Sequence, residues 1–188
     1  MKLGNLYTPL LVALLLGSTT TTRAFELSSP DLKPGATIDS RQVFNSFGCS
    51  GENISPALEW KNAPQGTRSF ALLVHDPDAP TGGAGWWHWL VYNIPATVTA
   101  LPPGAGTPDG AALPAGAVQP ATDFGTPGWG GPCPPIGDKA HHYRFTLHAL
   151  KVEKLDLPPG ASASLVGYMV NANTIGRALL VGVYGRKK

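Results

Sequence analysis

Residues 69–80 read SFALLVHDPDAP, an unbroken apolar run that ends in a turn containing two prolines. The run at residues 69–75 is short and is bounded by Gly66 and by the turn, which is typical of a buried strand. A second run, WHWLVYNI at residues 87–94, ends at Pro95 and is rich in the aromatic and β-branched residues that favour strands. We expect these two runs to be neighbouring strands of one sheet.

Further segments on both sides of this pair carry strand patterns. Residues 141–150 (HHYRFTLHAL) alternate apolar and polar side chains, which is the period of a half-buried strand. Residues 178–184 (ALLVGVY) read as a last apolar strand, and residues 25–27 and 37–38 read as short strands separated by prolines. The chain is therefore predicted to be mainly β, with long ordered loops and a few short helices.

One helix is predicted near residues 161–175, after a Pro-Pro-Gly segment. Ser162 or Ser164 can cap its N-terminus, and Gly176 is expected to supply the C-terminal stop. The predicted apolar face contains Leu165, Met169 and Val170.

The composition indicates a folded, loop-rich protein. Glycine (23 residues) and proline (19 residues) together exceed a fifth of the 188 positions, but a hydrophobic fraction of 43% argues against disorder. The net charge is only +2, and the basic residues are scattered apart from the tail at residues 186–188, which is expected to be a solvated end. Such a charge distribution argues against nucleic acid as a partner.

The N-terminus is predicted to be an export signal, residues 1–24. Residues 8–17 (TPLLVALLLG) are apolar but too short to remain as a membrane anchor, and they follow the basic Lys2. Cleavage after Ala24 would leave a single domain of residues 25–188, periplasmic or secreted, without a permanent membrane span. A retained N-terminal anchor is the alternative.

Two cysteines, Cys49 and Cys133, lie in the predicted domain. An oxidising compartment favours a disulfide between them, and two separate buried thiols are the alternative. No Cys or His stands at the short spacing that is typical of zinc ligands, so we predict no metal site.

Polar residues stand where the predicted strands end. Asp76 and Asp78 belong to the DPDAP turn, in which two prolines restrict the backbone and hold both carboxylates in place; an ordinary turn is the alternative. His88 lies among tryptophans on the neighbouring strand. A nearby carboxylate would raise the pKa of this imidazole and let it act as a charged donor to an anion, whereas burial would lower it. A satisfied core histidine is the alternative here.

Two later segments add candidate residues. Residues 130–135 (GGPCPP) are predicted to form a shaped loop whose glycine N–H groups can face an anion, although the prolines have no N–H to donate. His141 and His142 open the strand at residues 141–150 together with Tyr143. Because neighbouring side chains of a strand alternate, one of the two imidazoles can face a pocket while the other points away.

The order of these segments resembles one known family. DPDAP after a strand, Trp-His-Trp-Leu-Val on the next strand, Gly-Pro-Cys-Pro-Pro and then His-His-Tyr-Arg-Phe resemble the phosphatidylethanolamine-binding protein family. FGCSGENISPALEW (residues 47–60), GWWHWLVYNIPA (85–96) and VGYMVNAN (166–173) resemble its bacterial Raf-kinase-inhibitor-like branch, the YbhB/YbcL branch. The resemblance covers essentially the whole chain after the leader.

The resemblance implies an antiparallel β-sandwich-like fold with a small anion pocket, a binding role rather than catalysis, and no cofactor. The implied ligand is a small anion, a phosphate ester or a phospholipid headgroup. Eukaryotic members commonly have a small residue where this chain has Cys133, which narrows or cross-links the rim. The family's pocket positions correspond here to Asp76, Asp78, Pro80, His88, Gly131, Pro134, Pro135, His141 and Tyr143.

Three functions compete on the sequence alone. The first is binding of a small anionic or phosphate-bearing ligand. The second is hydrolysis, with Asp76 or Asp78 as general acid or base and His88 as its partner, although no G-x-S-x-G or Walker signature is present. The third is an effector or inhibitor that contacts a partner protein, and a homodimer is compatible with each of the three.

Overall fold

The computed structural model describes residues 23–187. The predicted leader, residues 1–24, lies outside the described residues except for its last two positions, and so does Lys188. Within the described range, no helix is both long and apolar enough to cross a membrane.

Within residues 23–187, two antiparallel sheets and one helix form the fold, as predicted for a mainly β chain. The elements are β1 (Glu26–Ser28), β2 (Leu58–Lys61), β3 (Ser69–Asp76), β4 (Trp86–Pro95), β5 (Ala100–Leu101), β6 (His141–Leu150), α1 (Ala163–Asn173) and β7 (Thr174–Tyr184). The larger sheet has the order β4-β3-β6-β7, and the smaller sheet has the order β1-β2-β5. The predicted pairing of the two apolar runs is confirmed, because β3 and β4 are antiparallel neighbours.

β3 is apolar along its length because both of its faces are covered. On one face, Phe70 and Leu72 belong to a core cluster that also contains Trp60 of the smaller sheet. On the other face, Leu73 packs in a second cluster with Val166 of α1. Burial on both faces removes the polar alternation that a one-sided strand shows, which explains the unbroken apolar run.

The helix begins after a predicted cap but ends earlier than predicted. Ser162 is its N-cap, and the hydroxyl of Ser162 accepts a hydrogen bond from the N–H of Leu165 at 3.2 Å. The helix ends at Asn173, and Gly176 is not its stop but a residue of β7. A Cβ at Gly176 would lie 2.5 Å from Pro64, so the glycine there permits a close approach of two chain segments.

The buried face of α1 agrees with the predicted one at Val170 and differs from it at Leu165. Val166, Gly167 and Val170 are buried, whereas Leu165 is 37% exposed. The apolar spacing in the sequence was compatible with more than one face, and packing against the sheet selects the face that contains Val166.

The shorter strands were predicted less well. β2 was not predicted, because its four residues give only two buried positions, Leu58 and Trp60. The predicted strand at residues 37–38 is reduced to an isolated bridge between Thr37 and Val183.

Candidate functional site

A buried aspartate–histidine pair lies where β3 ends and β6 begins. Because the two strands are antiparallel, Asp76 at the end of β3 stands beside His141 at the start of β6. The Nδ1 atom of His141 lies 2.7 Å from Oδ2 of Asp76, and each side chain is only 4% exposed. The other ring nitrogen, Nε2, lies 3.4 Å from a carboxylate oxygen of Asp138. The predicted residues Asp76 and His141 are thus brought together in one buried pair.

Asp78 is placed outside this pair. One of its carboxylate oxygens accepts hydrogen bonds from the backbone N–H of His142 at 2.8 Å and lies 2.7 Å from Nδ1 of the same residue. Burial raises the pKa of Asp78, but the hydrogen bonds from His142 outweigh this and hold the pKa below its ordinary value. The adjacent histidines point to opposite sides, as the alternation of a strand requires.

His88 is positioned by a β-bulge in β4. Trp89 pairs with Val74, and Trp87 pairs with His75, so His88 is an extra residue between two regular pairs. A bulge of this kind redirects side chains near functional sites. It leaves His88 in contact with Trp129 and Tyr143, with ring centroids 6.3 Å and 5.0 Å away.

His88 is neutral at neutral pH, not the charged donor that the sequence allowed. Burial lowers the pKa of His88 to about 4, while the Gly130 carbonyl and the Asp76 carboxylate act in the opposite direction. Its Nδ1 atom lies 2.5 Å from the carbonyl oxygen of Gly130 and must donate, because a carbonyl can only accept. The other nitrogen, Nε2, is then the acceptor of the neutral ring.

Tyr143 supplies a hydroxyl to which no other described residue is hydrogen-bonded. The residue is fully buried, and its hydroxyl has no hydrogen-bond partner within residues 23–187. Burial, together with the negative charge of Asp76, raises the pKa of Tyr143, so the hydroxyl keeps its proton. A buried hydroxyl without a partner is costly, which favours a partner supplied by a ligand or water.

These groups surround a cavity of about 230 Å³. Of the predicted pocket residues, Asp78 and Gly131 do not line it. The predicted residues that do line it are Asp76, Pro80, His88, Pro134, Pro135, His141 and Tyr143. The lining residues that the sequence prediction lacked are Phe47, Ala79, Thr81, Trp86 and Phe124, whereas Cys133, predicted at the rim, also lines the cavity.

Phe124 packs against other aromatic residues of the lining and forms an aromatic wall of the cavity with them. Its ring centroid lies 5.4 Å from that of His88, 5.5 Å from that of Trp86 and 6.0 Å from that of Phe47. The segment around Phe124 is rich in glycine, proline and threonine and has no periodicity. The only sequence signal was an isolated aromatic residue in a polar loop.

The two glycines of the loop at residues 130–135 do not offer their N–H groups to the site. The N–H of Gly130 donates to the carbonyl of His88 at 2.9 Å, and the N–H of Gly131 donates to Oδ1 of Asn53 at 2.8 Å. The expectation that the amide of Gly131 faces an anion is therefore wrong. The side-chain amide of Asn53 also donates to the Trp129 carbonyl at 3.1 Å, so this asparagine fixes the loop.

Gly131 is required for packing, which gives a direct prediction. A Cβ at this position would overlap the carbonyl oxygen of Gln42, so Gly131→Ala is expected to lower the free energy of unfolding by about 1–3 kcal/mol. Gly167→Ala in α1 is the control, because its Cβ would lie 4.0 Å from Trp87 and alanine favours helix by up to about 1 kcal/mol. Urea unfolding of both variants measures the difference. Equal effects of the two substitutions would contradict the packing role.

The rim of the cavity is held by a disulfide. Cys49 and Cys133 are bonded, with Cα atoms 6.0 Å apart, which confirms the predicted disulfide. Phe47, which is 66% exposed, has a φ of 55°, a left-handed conformation that is unfavourable for a bulky residue. Crosslinking of the neighbouring Cys49 helps to hold this strained turn over the cavity.

The basic tail is not merely a solvated end. Arg186 donates from Nε to the carbonyl of Pro134 at 2.6 Å and from Nη1 to the carbonyl of Gly48 at 3.0 Å. The guanidinium therefore connects the two loops that the disulfide also joins. Prediction of a free tail failed because the sequence does not show which carbonyls stand beside it.

Several polar groups of the cavity remain available to a ligand. The hydroxyl of Thr81 donates to the carbonyl of Gly85 at 3.0 Å, and the sulfur of Cys133 is in the disulfide. Within residues 23–187, no three His, Cys, Asp or Glu side chains are grouped as they would be around a metal ion. The groups left to meet a ligand include His88 Nε2, the Tyr143 hydroxyl and the Asp76 carboxylate.

Comparison with known proteins agrees with this geometry. A family model described as phosphatidylethanolamine-binding protein matches residues 28–185. The chain is 52% identical to the YbcL protein of Escherichia coli over 161 residues, covering 86% of this chain and 87% of that protein. It is 38% identical over 158 residues to a putative lipoprotein, LppC of Mycobacterium tuberculosis, covering 84% of this chain and 71% of that protein.

Solved structures give the same result. The crystal structure of Escherichia coli YbcL matches this fold with a TM-score of 0.84 at 54% identity, covering 87% of this chain and 99% of that chain. A crystal structure from Chlamydia trachomatis, described as a putative phosphatidylethanolamine-binding protein homologue, matches with a TM-score of 0.72 at 31% identity, covering 87% of this chain and 98% of that one. The chain belongs to the phosphatidylethanolamine-binding protein family.

Proposed function

We propose that this protein binds a small phosphate-bearing ligand, such as a phosphate ester or a phospholipid headgroup, in the cavity between Asp76, His88, His141 and Tyr143. The observation that carries the proposal is the buried hydroxyl of Tyr143, which lines the cavity and has no partner in the part of the chain that the structure describes. A cavity of about 230 Å³ is too small for a whole phospholipid and suits a headgroup.

Binding is proposed rather than turnover. In the alternative hydrolase, Asp76 or Asp78 would act as general acid or base. Both oxygens of Asp76 already accept or share hydrogen bonds, one with the N–H of Asp78 at 2.8 Å and one with His141. These bonds suit a carboxylate that positions His141.

The location proposed for this function is periplasmic or secreted. The disulfide and the similarity to a putative lipoprotein both favour a place outside the cytoplasm. A ligand in that location would be a phospholipid headgroup or a free phosphate ester.

Tyr143→Phe tests the proposal, because it removes one oxygen without changing the shape of the ring. We expect phosphoethanolamine to bind the unsubstituted protein and to bind Tyr143→Phe roughly tenfold more weakly in calorimetry. The free energy of unfolding should stay equal or rise by up to about 1 kcal/mol, because a buried hydroxyl without a partner is lost.

His148→Asn is the matched control. His148 is a second buried histidine on β6, and its Nδ1 lies 3.0 Å from the hydroxyl of Thr174, away from the residues that line the cavity. This variant should bind phosphoethanolamine as the unsubstituted protein does. Absence of heat with the unsubstituted protein would reject the proposal and favour action on a partner protein, for which Phe47 (66% exposed) and Ile136 (61% exposed) offer apolar surface near the rim.

A further inference from the structure

The cavity wall is rich in hydrogen-bond acceptors. Nδ1 of His88 donates to Gly130, and Nε2 has no hydrogen-bond partner within the described residues, although His88 lines the cavity. The carboxylate of Asp76 also lines the cavity, and its oxygens retain lone pairs beyond the two bonds already described. A fully ionised anion would bring only lone pairs to these two acceptors.

The loop that borders the cavity offers few donors to offset this, because Cys133 is its one residue whose N–H is not used by another described group. The N–H groups of Gly130 and Gly131 are used by His88 and Asn53. Pro134 and Pro135 have no N–H. The wall therefore differs from an ordinary anion site, in which several backbone N–H groups converge on the ligand.

The surroundings of His88 keep its Nε2 an acceptor. Phe124 and Trp129 contact the ring and exclude water, which disfavours the imidazolium form. The titratable groups that act on His88 come from β3, β6 and the loop after residue 121. They are Asp76 and Asp123, which favour the charged form, His75, which opposes it, and Tyr143, which contacts the ring and stays neutral.

We propose that the cavity selects a phosphate ester that carries its own proton, and that His88 Nε2 is the specificity-determining acceptor of that P–O–H group. This inference rests on the proposed function and names the form of the ligand. The hydroxyl of Tyr143 donates to another phosphate oxygen. No covalent bond changes, and the complex contains one proton shared along the hydrogen bond from the phosphate oxygen to Nε2.

Methyl phosphate and methyl sulfate are the matched probes, because their singly charged forms have nearly the same shape and charge. Apart from the central phosphorus or sulfur atom, they differ by one proton. The second pKa of a phosphate monoester is about 6, whereas methyl sulfate has no proton to donate near neutral pH. Methyl sulfate can form a hydrogen bond with Nε2 only after His88 has taken up a proton from water. At about pH 6 this makes methyl sulfate on the order of 100-fold weaker, because pH 6 lies about two units above the pKa of His88.

The pH profiles of the two probes differ in a way that a structural role of His88 would not produce. Methyl phosphate affinity should be nearly constant below about pH 5 and fall as the pH rises past about 6, because the protonated ester disappears. Methyl sulfate affinity should continue to rise toward about pH 4, where His88 becomes protonated.

Calorimetric titration of the whole protein with both probes from about pH 4.5 to pH 8 tests this proposal. His88→Asn keeps a donor for Gly130 but lacks Nε2, and it should lose the preference for methyl phosphate. His88→Gln places near Nε2 an amide that can donate, and it should bind methyl sulfate better than the unsubstituted protein does. His148→Asn should retain both profiles.

The outcomes separate the two proposals. Equal affinity for the two probes at about pH 6, or methyl phosphate affinity that rises with pH, would overturn the selection of a protonated ester and leave the phosphate pocket in place. No binding of either probe or of phosphoethanolamine would overturn the proposed function itself.

Discussion

Replacing Cys49 and Cys133 together by serine is expected to lower the free energy of unfolding by about 4–5 kcal/mol. The bond joins residues 84 positions apart, and closing so long a loop removes conformational entropy from the unfolded chain. The native state also loses the link between two rim loops. Arg186 continues to bridge these loops through the carbonyls of Gly48 and Pro134, so the fold is expected to persist.

Urea unfolding of the oxidised protein and the double serine variant at neutral pH measures this loss. A reducing agent should lower the stability of the unsubstituted protein and leave that of the variant unchanged. Phosphoethanolamine affinity should also fall in the variant, because Phe47 and Cys133 line the cavity. A loss of less than about 1 kcal/mol would show that the disulfide does not constrain the unfolded chain as proposed.

Acid is expected to destabilise the protein between about pH 6.5 and pH 4, before most carboxylates titrate. Burial lowers the pKa of both His88 and His148 from 6.5 to about 4 in the folded state. Between pH 6.5 and about pH 4 the unfolded chain binds more protons than the folded chain does. The stability that is present above pH 6.5 is therefore lost as the pH falls through about 4. The difference between the unfolded-state and folded-state pKa values corresponds to about 3 kcal/mol of folding stability for each histidine.

The test is urea unfolding at a series of pH values in the unsubstituted protein, in His88→Asn, in His148→Asn and in the double variant. Each single substitution should remove about half of the loss between pH 6.5 and pH 4, and the double variant should be nearly flat there. A loss of stability that is as steep in the double variant as in the unsubstituted protein would show that other groups cause it.

The main sheet could be predicted from the sequence because its signals are local. The apolar runs of β3 and β4 and the alternation of β6 each extend over eight or ten residues. β2 and β5 have only four and two residues, and they form because they pair with neighbours that are distant in sequence. Gly176 was assigned to the helix end because the sequence does not show that Pro64 packs against it.

The candidate site was predicted where strand ends supply it and missed where loops do. Asp76, His88, His141 and Tyr143 lie on β3, β4 and β6, and the order of their motifs resembles the family pattern. The protonation state of His88 depends on its burial, and its position depends on the bulge that turns it toward Tyr143. Neither is visible as a local sequence pattern. Phe124 and Asn53 act through contacts between loops that are far apart in sequence.

The most direct test of the proposed pocket is a two-dimensional NMR titration of the isotopically labelled protein with phosphoethanolamine. We expect shifts that cluster on Asp76, His88, His141 and Tyr143 and that weaken in Tyr143→Phe. Shifts centred instead on another surface, such as the groove beside Arg68 and Lys154, or no shifts at all, would contradict binding of a phosphate-bearing ligand in this cavity.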